Sequence, residues 1–174
     1  MRNTDNHWSD DIFAVLRDHG VAQVAYVPDA GHSRLIDRCI ASNEITTVPL
    51  TTEEEGMALL GGAWLGGQRG AMLMQSSGVG NCINMLAFTR TCRFPLLMLV
   101  TMRGQYGEFN PWQVPMGQAT GDVLSAMDTL LFPADEPAKV GPAVEAAARM
   151  AFEGPASTAV LIAQGVIGAK TFGR

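Results

Sequence analysis

The feature that most constrains the fold is an alternation of short apolar segments with helix-like ones. Segments rich in β-branched and other apolar residues cover positions 21–27, 45–50, 71–75, 96–101, 130–133 and 158–163. Helix-like segments lie between most of them, and parallel strands need such crossover connections. The sequence therefore predicts an α/β fold with a doubly wound, mostly parallel sheet flanked by helices.

The length and composition favour one domain over residues 1–174 and a surface for a partner. Hydrophobic residues make up 47% of the chain and charged residues only 17%, which is more apolar than a lone soluble domain requires. The net charge of −5 argues against nucleic-acid binding, and the apolar run 95–100 is too short to cross a membrane. A polar N-terminus and three cysteines without metal-ligand spacing favour a cytoplasmic location.

An acidic helix start follows the second predicted strand, and an apolar helix is predicted over 57–67. The acidic helix start reads Thr51-Thr52-Glu53-Glu54-Glu55-Gly56. Thr52 and Glu55 have the spacing of a capping box, and carboxylates suit the positive end of a helix dipole. A capping box uses only one glutamate, so two remain without a structural role. Both a purely structural reading and a carboxylate that does proton chemistry in an apolar cleft stay open.

Polar residues follow three of the predicted strands, in segments 28–32, 53–56 and 76–84. These segments should meet at one edge of the sheet, because ligands of such sheets bind beyond the carboxyl ends of the strands. Residues 103–120 are rich in Gly, Pro and Gln and are predicted to form a long functional loop. His32 is a candidate proton donor or anion contact as well as an ordinary loop histidine. Arg103 is a candidate for binding an anionic substrate.

Gly78-Val79-Gly80 is predicted to lie between a strand and a helix that starts near residue 81. The third glycine of a dinucleotide-binding fingerprint would fall at Ile83, so that signal is weak. The alternative is a tight turn that lets the backbone approach a flat ring. Asn81 and Asn84 are either helix-start residues or side-chain contacts. Cys82 is predicted to be a buried structural cysteine rather than an activated thiolate.

Together these residues resemble the pyrimidine-binding (PYR) domain of thiamine diphosphate enzymes, and within it the sulfopyruvate and phosphonopyruvate decarboxylases. The resemblance covers nearly the whole chain and is carried by Thr52 to Gly56, Gly62 to Gly67, Met74 to Asn81 with Asn84, and Arg103 to Gly117. The acidic turn and the run Gln-Ser-Ser-Gly-Val-Gly-Asn are fairly specific at this mutual spacing.

The resemblance implies a glutamate that hydrogen-bonds N1′ of the aminopyrimidine and stabilises the imino tautomer used for proton removal. Counting from Ile45 and back from Gly62 places this glutamate at Glu53, whereas alignment on Trp64 places it at Glu54. The implied catalytic residues are Glu53, Glu54 and His32. The implied cofactor contacts are Pro28, Glu53, Ser77, Gly78, Gly80, Asn81 and Asn84. The implied substrate contacts are Asp29, His32, Arg103 and Gln113.

The chain departs from the family in the motif that holds diphosphate and Mg²⁺, Gly-Asp-Gly followed by an asparagine. Its nearest match is Gly121-Asp122-Val123, with no asparagine after it. The resemblance therefore implies no metal ligands in this chain, a PP-domain (β) subunit that supplies them, and a homo- or hetero-oligomer.

The activity that the resemblance implies is decarboxylation of 3-sulfopyruvate to sulfoacetaldehyde and carbon dioxide. Phosphonopyruvate or another 2-oxo acid, carboligation, and a non-catalytic regulatory subunit are alternatives. A nucleotide- or flavin-binding module is a further alternative. The segment Pro28-Asp29-Ala30-Gly31-His32 is only loosely like the family pattern, which leaves the substrate open.

Overall fold

Six strands form the centre of the molecule, and all pairings between them within the described residues are parallel. The computed structural model describes residues 7–168. The strands are β1 (Val21–Tyr26), β2 (Thr46–Pro49), β3 (Arg69–Gln75), β4 (Leu96–Thr101), β5 (Leu130–Ala134) and β6 (Ser157–Ile162). Their order is β2-β1-β3-β4-β6-β5. The predicted α/β fold with a doubly wound parallel sheet is confirmed. The predicted domain 1–174 extends past the described residues at both ends and stays a prediction.

Helices cover both faces of the sheet. They are α1 (Trp8–Asp18), α2 (Ser33–Ile40), α3 (Glu53–Leu65), α4 (Ser76–Cys92), α5 (Val114–Ala126), α6 (Pro137–Glu153) and α7 (Gln164–Ile167), with a 3₁₀ turn at Pro111–Gln113. One apolar core lies between the sheet and helices α1, α2 and α6, and a second lies between the sheet and helices α3, α4 and α5. Every residue of β4 is buried, as a strand covered on both faces requires. Within residues 7–168 no helix has both the length and the apolarity needed to cross a bilayer.

Both edge strands contain a proline. Pro49 ends β2, and Pro133 is the fourth residue of β5. Proline lacks the backbone N–H that a sheet ladder uses, so it is found at sheet edges and not in central strands. The four central strands have six or seven residues each, and the two edge strands have four and five.

Two helix starts differ from the sequence-based prediction. Helix α4 begins at Ser76 and not near residue 81, so the tight turn predicted at Gly78-Val79-Gly80 is wrong. The dinucleotide-binding signal, judged weak from the sequence, has no phosphate loop at this place either. Helix α5 begins at Val114, so the loop predicted over 103–120 is wrong in its second half. The local glycine and proline signals were overridden in both places by packing against neighbouring elements.

The capping box is also wrong in detail. Thr52 is the N-cap of α3 with an extended backbone, but its side chain makes no capping hydrogen bond. The Glu55 carboxylate accepts a hydrogen bond from the Thr51 backbone N–H at 2.9 Å, one residue earlier than a capping box would place it. Glu55 therefore still stabilises the helix start, although through a different donor.

Gly117 lets α5 pack against the segment that leaves β4. A Cβ atom added at Gly117 would lie 1.9 Å from the backbone oxygen of Arg103. One turn later on the same helix, a Cβ atom at Gly121 would meet only the Leu131 side chain, at 3.9 Å. A side chain is therefore excluded at Gly117 but fits at Gly121, although both glycines lie in one helix.

We expect Gly117→Ala to lower the free energy of unfolding by about 3 kcal/mol, because the added methyl group meets backbone that cannot move without undocking α5. Gly121→Ala is the matched control and should raise stability by up to about 1 kcal/mol, since alanine favours a helix. Urea denaturation of both variants measures the difference. Equal stabilities would contradict the close packing at Gly117.

Candidate functional site

Glu53 is the carboxylate of the acidic helix start that faces inward. Its residue surface is only 7% exposed, whereas Glu54 and Glu55 are exposed. Asn81 on α4 donates a hydrogen bond from Nδ2 to Glu53 Oε2 at 2.8 Å. Among residues 7–168 no donor contacts the other oxygen, Oε1. The carboxylate is therefore held by one oxygen and able to accept a hydrogen bond at the other.

Glycines of α4 form the wall beside this carboxylate. A Cβ atom at Gly78 would lie 2.3 Å from Glu53 Oε1, so any other residue there would displace the carboxylate. A Cβ atom at Gly80 would lie 3.1 Å from the Met116 sulfur of α5. The Gly-Val-Gly segment thus works by close helix packing and not as a turn. Gly78 leaves the position beside Oε1 free of side-chain atoms from its own helix.

A second polar group lies at the carboxyl ends of β1, β3 and β4. Asp29 Oδ2 accepts hydrogen bonds from Thr101 Oγ1 at 2.7 Å and from the Gly31 backbone N–H at 3.1 Å. Asp29 Oδ1 accepts one from Gln75 Nε2 at 3.1 Å. All three donors are neutral. The carboxylate is therefore fixed in orientation by hydrogen bonds without an ion pair.

Gln75 joins Asp29 to other residues that the resemblance assigned to the site. Its Oε1 accepts hydrogen bonds from Ser77 Oγ at 2.8 Å and from Gln113 Nε2 at 2.7 Å. Gln113 Oε1 in turn accepts one from Arg103 Nε at 3.2 Å. Asp29, Ser77, Gln113 and Arg103 are thus brought together. Gln75 has no role predicted from the sequence, although it lies within the run that carries the resemblance.

Arg103 is buried beside a partner that the sequence analysis missed. Its side chain is 5% exposed and pairs with Glu108, whose side chain is 3% exposed, at 3.5 Å between Nε and Oε2. Glu108 also accepts hydrogen bonds from the Asn110 backbone N–H at 3.0 Å and from Gln164 Nε2 at 3.0 Å. Gln164 lies far along the chain, at the start of α7, and no local pattern in the sequence marks this contact.

The charge on Glu108 is stabilised strongly enough to shift its titration. Burial acts to raise the pKa of Glu108, but the Asn110 amide, the Arg103 charge and the Gly104 amide together lower it below the usual value. Glu108 is therefore ionised at neutral pH and balances the charge of Arg103.

His32 is placed differently from a residue that meets a substrate. Its side chain is fully buried, and Nε2 lies 3.0 Å from the Leu99 carbonyl oxygen. Its Nδ1 has no hydrogen-bond partner among residues 7–168. Burial lowers the pKa of His32 against the opposing effect of Asp29, so the ring is neutral and Nε2–H donates to the carbonyl. Proton donation and substrate contact by His32 stay predictions that this burial disfavours.

The remaining candidate residues are Pro28, Asn84 and Cys82. Pro28 is exposed just after β1, and Asn84 is exposed on α4, one turn beyond Asn81. Cys82 is buried, and burial together with Glu53 and Glu54 raises the pKa of its thiol to about 12. It is an inert thiol, in agreement with the structural role predicted for it. Within residues 7–168 no group of three or more His, Cys, Asp or Glu residues is arranged to hold a metal ion.

The comparisons with known proteins agree on one family. Residues 6–119 match the family described as thiamine pyrophosphate enzyme, N-terminal TPP binding domain. The chain is 39% identical over 121 residues to the sulfopyruvate decarboxylase subunit alpha of Methanothermobacter thermautotrophicus, which covers 69% of this chain and 73% of that protein. It is 38% identical over 120 residues to the phosphonopyruvate decarboxylase of Streptomyces viridochromogenes, covering 68% of this chain but 30% of that protein.

A solved structure supports the fold alone. The 2-oxoglutarate:ferredoxin oxidoreductase of Magnetococcus marinus, solved with 2-oxoglutarate, coenzyme A and succinyl-CoA bound, superposes with a TM-score of 0.71 at 12% identity. The match covers 93% of this chain and 29% of that one. At this identity the likeness extends to the arrangement of strands and helices and not to the residues of a site.

The Arg103–Glu108 pair predicts a particular loss of stability in acid. Because the folded pKa of Glu108 is lowered, its carboxylate contributes stability above the unfolded value of about 4.3, and this contribution is lost as the pH falls through the folded pKa. Glu108→Gln should cost about 2–4 kcal/mol at neutral pH, because it leaves a buried guanidinium without its countercharge. Its melting temperature should then fall less steeply than that of the wild type between about pH 6 and about pH 3.

The exposed Glu153 at the end of α6 supplies the matched control, Glu153→Gln. This variant should follow the wild-type curve of melting temperature against pH. If Glu108→Gln also followed it, the pair would not be the buried interaction described above.

Proposed function

This chain belongs to the thiamine pyrophosphate enzymes, through their N-terminal TPP-binding domain, and from that premise we propose that it is the α (PYR) subunit of a two-subunit 2-oxo acid decarboxylase. The proposed substrate is 3-sulfopyruvate, which gives sulfoacetaldehyde and carbon dioxide. Relatives named sulfopyruvate decarboxylase subunit alpha support this choice. The observation that carries the proposal is the buried Glu53 carboxylate, held by Asn81 through one oxygen with the other oxygen free to accept.

The residues around Glu53 fit the pyrimidine half of thiamine diphosphate. Oε1 is an acceptor without a protein donor among residues 7–168, which suits a protonated ring nitrogen. Gly78 leaves α4 without a side chain beside Oε1, and Gly80 lets α4 pack closely against Met116 of α5. When bound, thiamine diphosphate supplies the electron sink that makes loss of carbon dioxide from a 2-oxo acid possible. In a dry site a fixed carboxylate stabilises positive charge on its partner far more than it would in water.

Each residue of this half has a defined task in the proposal. Glu53 binds and orients the aminopyrimidine and stabilises its protonated nitrogen. Asn81 keeps the carboxylate from rotating, because its amide occupies Oε2. Glu54 is exposed and is proposed to have no part in the chemistry. The structure therefore supports Glu53 over Glu54 as the acidic residue of the site.

The diphosphate half of the site is proposed to come from a partner subunit. The sequence has no Gly-Asp-Gly motif with a later asparagine, and its only near match is Gly121-Asp122-Val123 on α5. We propose that a β subunit with that motif holds the diphosphate and Mg²⁺, and that the cofactor lies between the two chains. The relatives named subunit alpha support the existence of such a partner.

The substrate half is proposed to include Asp29, Arg103 and Gln113. Arg103 places a guanidinium at the carboxyl edge, where Gln113 and Glu108 hold it. Because Glu108 balances the charge of Arg103, Arg103 is proposed to offer guanidinium donors to an anionic group of the substrate rather than a net positive charge. The relatives named phosphonopyruvate decarboxylase make that 2-oxo acid the alternative substrate.

We expect Glu53→Gln to keep its fold and to lower turnover of the assembled enzyme at least about a hundredfold, because an amide cannot supply the charge. Glu54→Gln should keep turnover within about twofold, since exposed surface charges contribute little. Turnover, thermal unfolding and thiamine diphosphate binding would be measured for both variants. Full activity of Glu53→Gln, or a loss confined to Glu54→Gln, would contradict the assignment.

A tagged chain purified from its native lysate should bring down a companion with a Gly-Asp-Gly motif and a later asparagine, in equal amount, together with thiamine diphosphate. The complex would then be assayed with 3-sulfopyruvate, phosphonopyruvate and pyruvate, and we expect the first to be consumed fastest. A companion without decarboxylation of any 2-oxo acid would favour a regulatory subunit. A bound nucleotide or flavin in place of thiamine diphosphate would overturn the proposal.

A further inference from the structure

Gln75 has no task in the function proposed above, yet it contacts more of the substrate half than any residue assigned to it. It is the last residue of β3, and its side chain bonds to Asp29, Ser77 and Gln113. Gln113 then bonds to Arg103. The four residues Arg103, Gln113, Gln75 and Asp29 form a continuous line of hydrogen bonds, here called the amide relay.

The direction of every bond in the amide relay is forced by its two ends. An ionised Asp29 can only accept, so Gln75 must turn its amide nitrogen toward it and its oxygen toward Gln113. Gln113 must then turn its own nitrogen toward Gln75 and its oxygen toward Arg103, which can only donate. Flipping either amide would set two donors or two acceptors against each other. The relay thus has one satisfied arrangement.

The relay has a physical consequence beyond orientation. Hydrogen bonds arranged head to tail polarise one another, and the effect is larger in a low-dielectric surrounding. Here Arg103, which also pairs with Glu108, and Asp29 lie at opposite ends of two hydrogen-bonded amides. Moving either charged side chain would disturb the other through the two amides.

We propose that Gln75 is a positioning residue of the substrate half, and that the amide relay, anchored at Asp29, fixes Gln113 and Arg103 in position for the anionic 2-oxo acid. This inference rests on the proposed function for its substrate. The geometry of the relay can be tested without turnover. Loss of Gln75 is then expected to act on substrate binding more than on the cofactor, because Glu53 and Asn81 make no hydrogen bond to the amide relay.

A polarity swap, in which Gln75→Glu is combined with Asp29→Asn, tests the hydrogen-bond geometry of the amide relay. Gln75→Glu places a carboxylate against Asp29 and removes a donor, so the variant should melt well below the wild type. Adding Asp29→Asn should restore most of the loss. In the double variant the new amide can donate toward position 75 while its oxygen still accepts from Thr101 and Gly31. Gln118→Glu, an exposed change on α5, is the matched control and should melt like the wild type.

The single variant should also respond to pH in a defined direction. Two facing carboxylates raise the folded pKa of one of them above its unfolded value. Stability that depends on its proton is present at low pH and lost as the pH rises through the folded pKa. The deficit of Gln75→Glu should therefore shrink between about pH 8 and about pH 5. A double variant no more stable than Gln75→Glu, or a deficit that does not change with pH, overturns the relay.

Kinetics of the assembled enzyme test the positioning role. Gln75→Met removes the relay without adding charge, and should raise KM for 3-sulfopyruvate about tenfold or more while kcat falls less. Thiamine diphosphate affinity, measured by fluorescence titration, should stay within about twofold of the wild type, as should all constants of Gln118→Met. An unchanged KM in Gln75→Met overturns the positioning role. If the wild-type complex consumes no 2-oxo acid the proposed function fails, and the swap still decides the relay.

Discussion

The close contact between the start of α3 and the start of α4 is the constraint on which the rest of the site depends. At this contact the Glu53 carboxylate lies against Gly78, where a Cβ atom would come within 2.3 Å of it, and Asn81 binds its second oxygen. Helix α4 can begin directly at the end of β3 because small residues occupy its first turns. A buried carboxylate is costly unless it is hydrogen-bonded, and Asn81 satisfies only one of the two oxygens of Glu53. In the proposed function, a ring N–H of the cofactor is the donor for the other oxygen.

The overall fold could be predicted because its signal is spread over many residues. Six apolar segments alternate with helices, and packing on both faces of a sheet requires that pattern. The helix starts at Ser76 and Val114 could not be predicted in the same way. Glycine, serine and proline there act as turn signals locally, and only contact with neighbouring elements makes them helical. Local rules therefore failed where tertiary packing decided the outcome.

The site could be predicted in part, for reasons that differ between residues. Glu53 and Glu54 are adjacent and chemically alike, so only the orientation of the helix separates a buried carboxylate from an exposed one. The burial of His32 depends on β4, whose Leu99 is distant in sequence. Glu108 and Gln164 were missed because their meeting depends on where the chain after β4 and the chain after β6 pass each other. The family resemblance predicted which residues form the site, whereas only the three-dimensional structure shows which residues they contact.

The prolines of the two edge strands restrict how this chain can associate with others. Pro49 and Pro133 each remove a backbone donor from an outer strand, so neither edge of the sheet offers a continuous ladder to an incoming strand. Growth of the sheet from one molecule to the next, which is the usual route to uncontrolled aggregation, is therefore blocked on both sides. A chain this rich in apolar residues is thereby protected against strand pairing between the edges of neighbouring molecules.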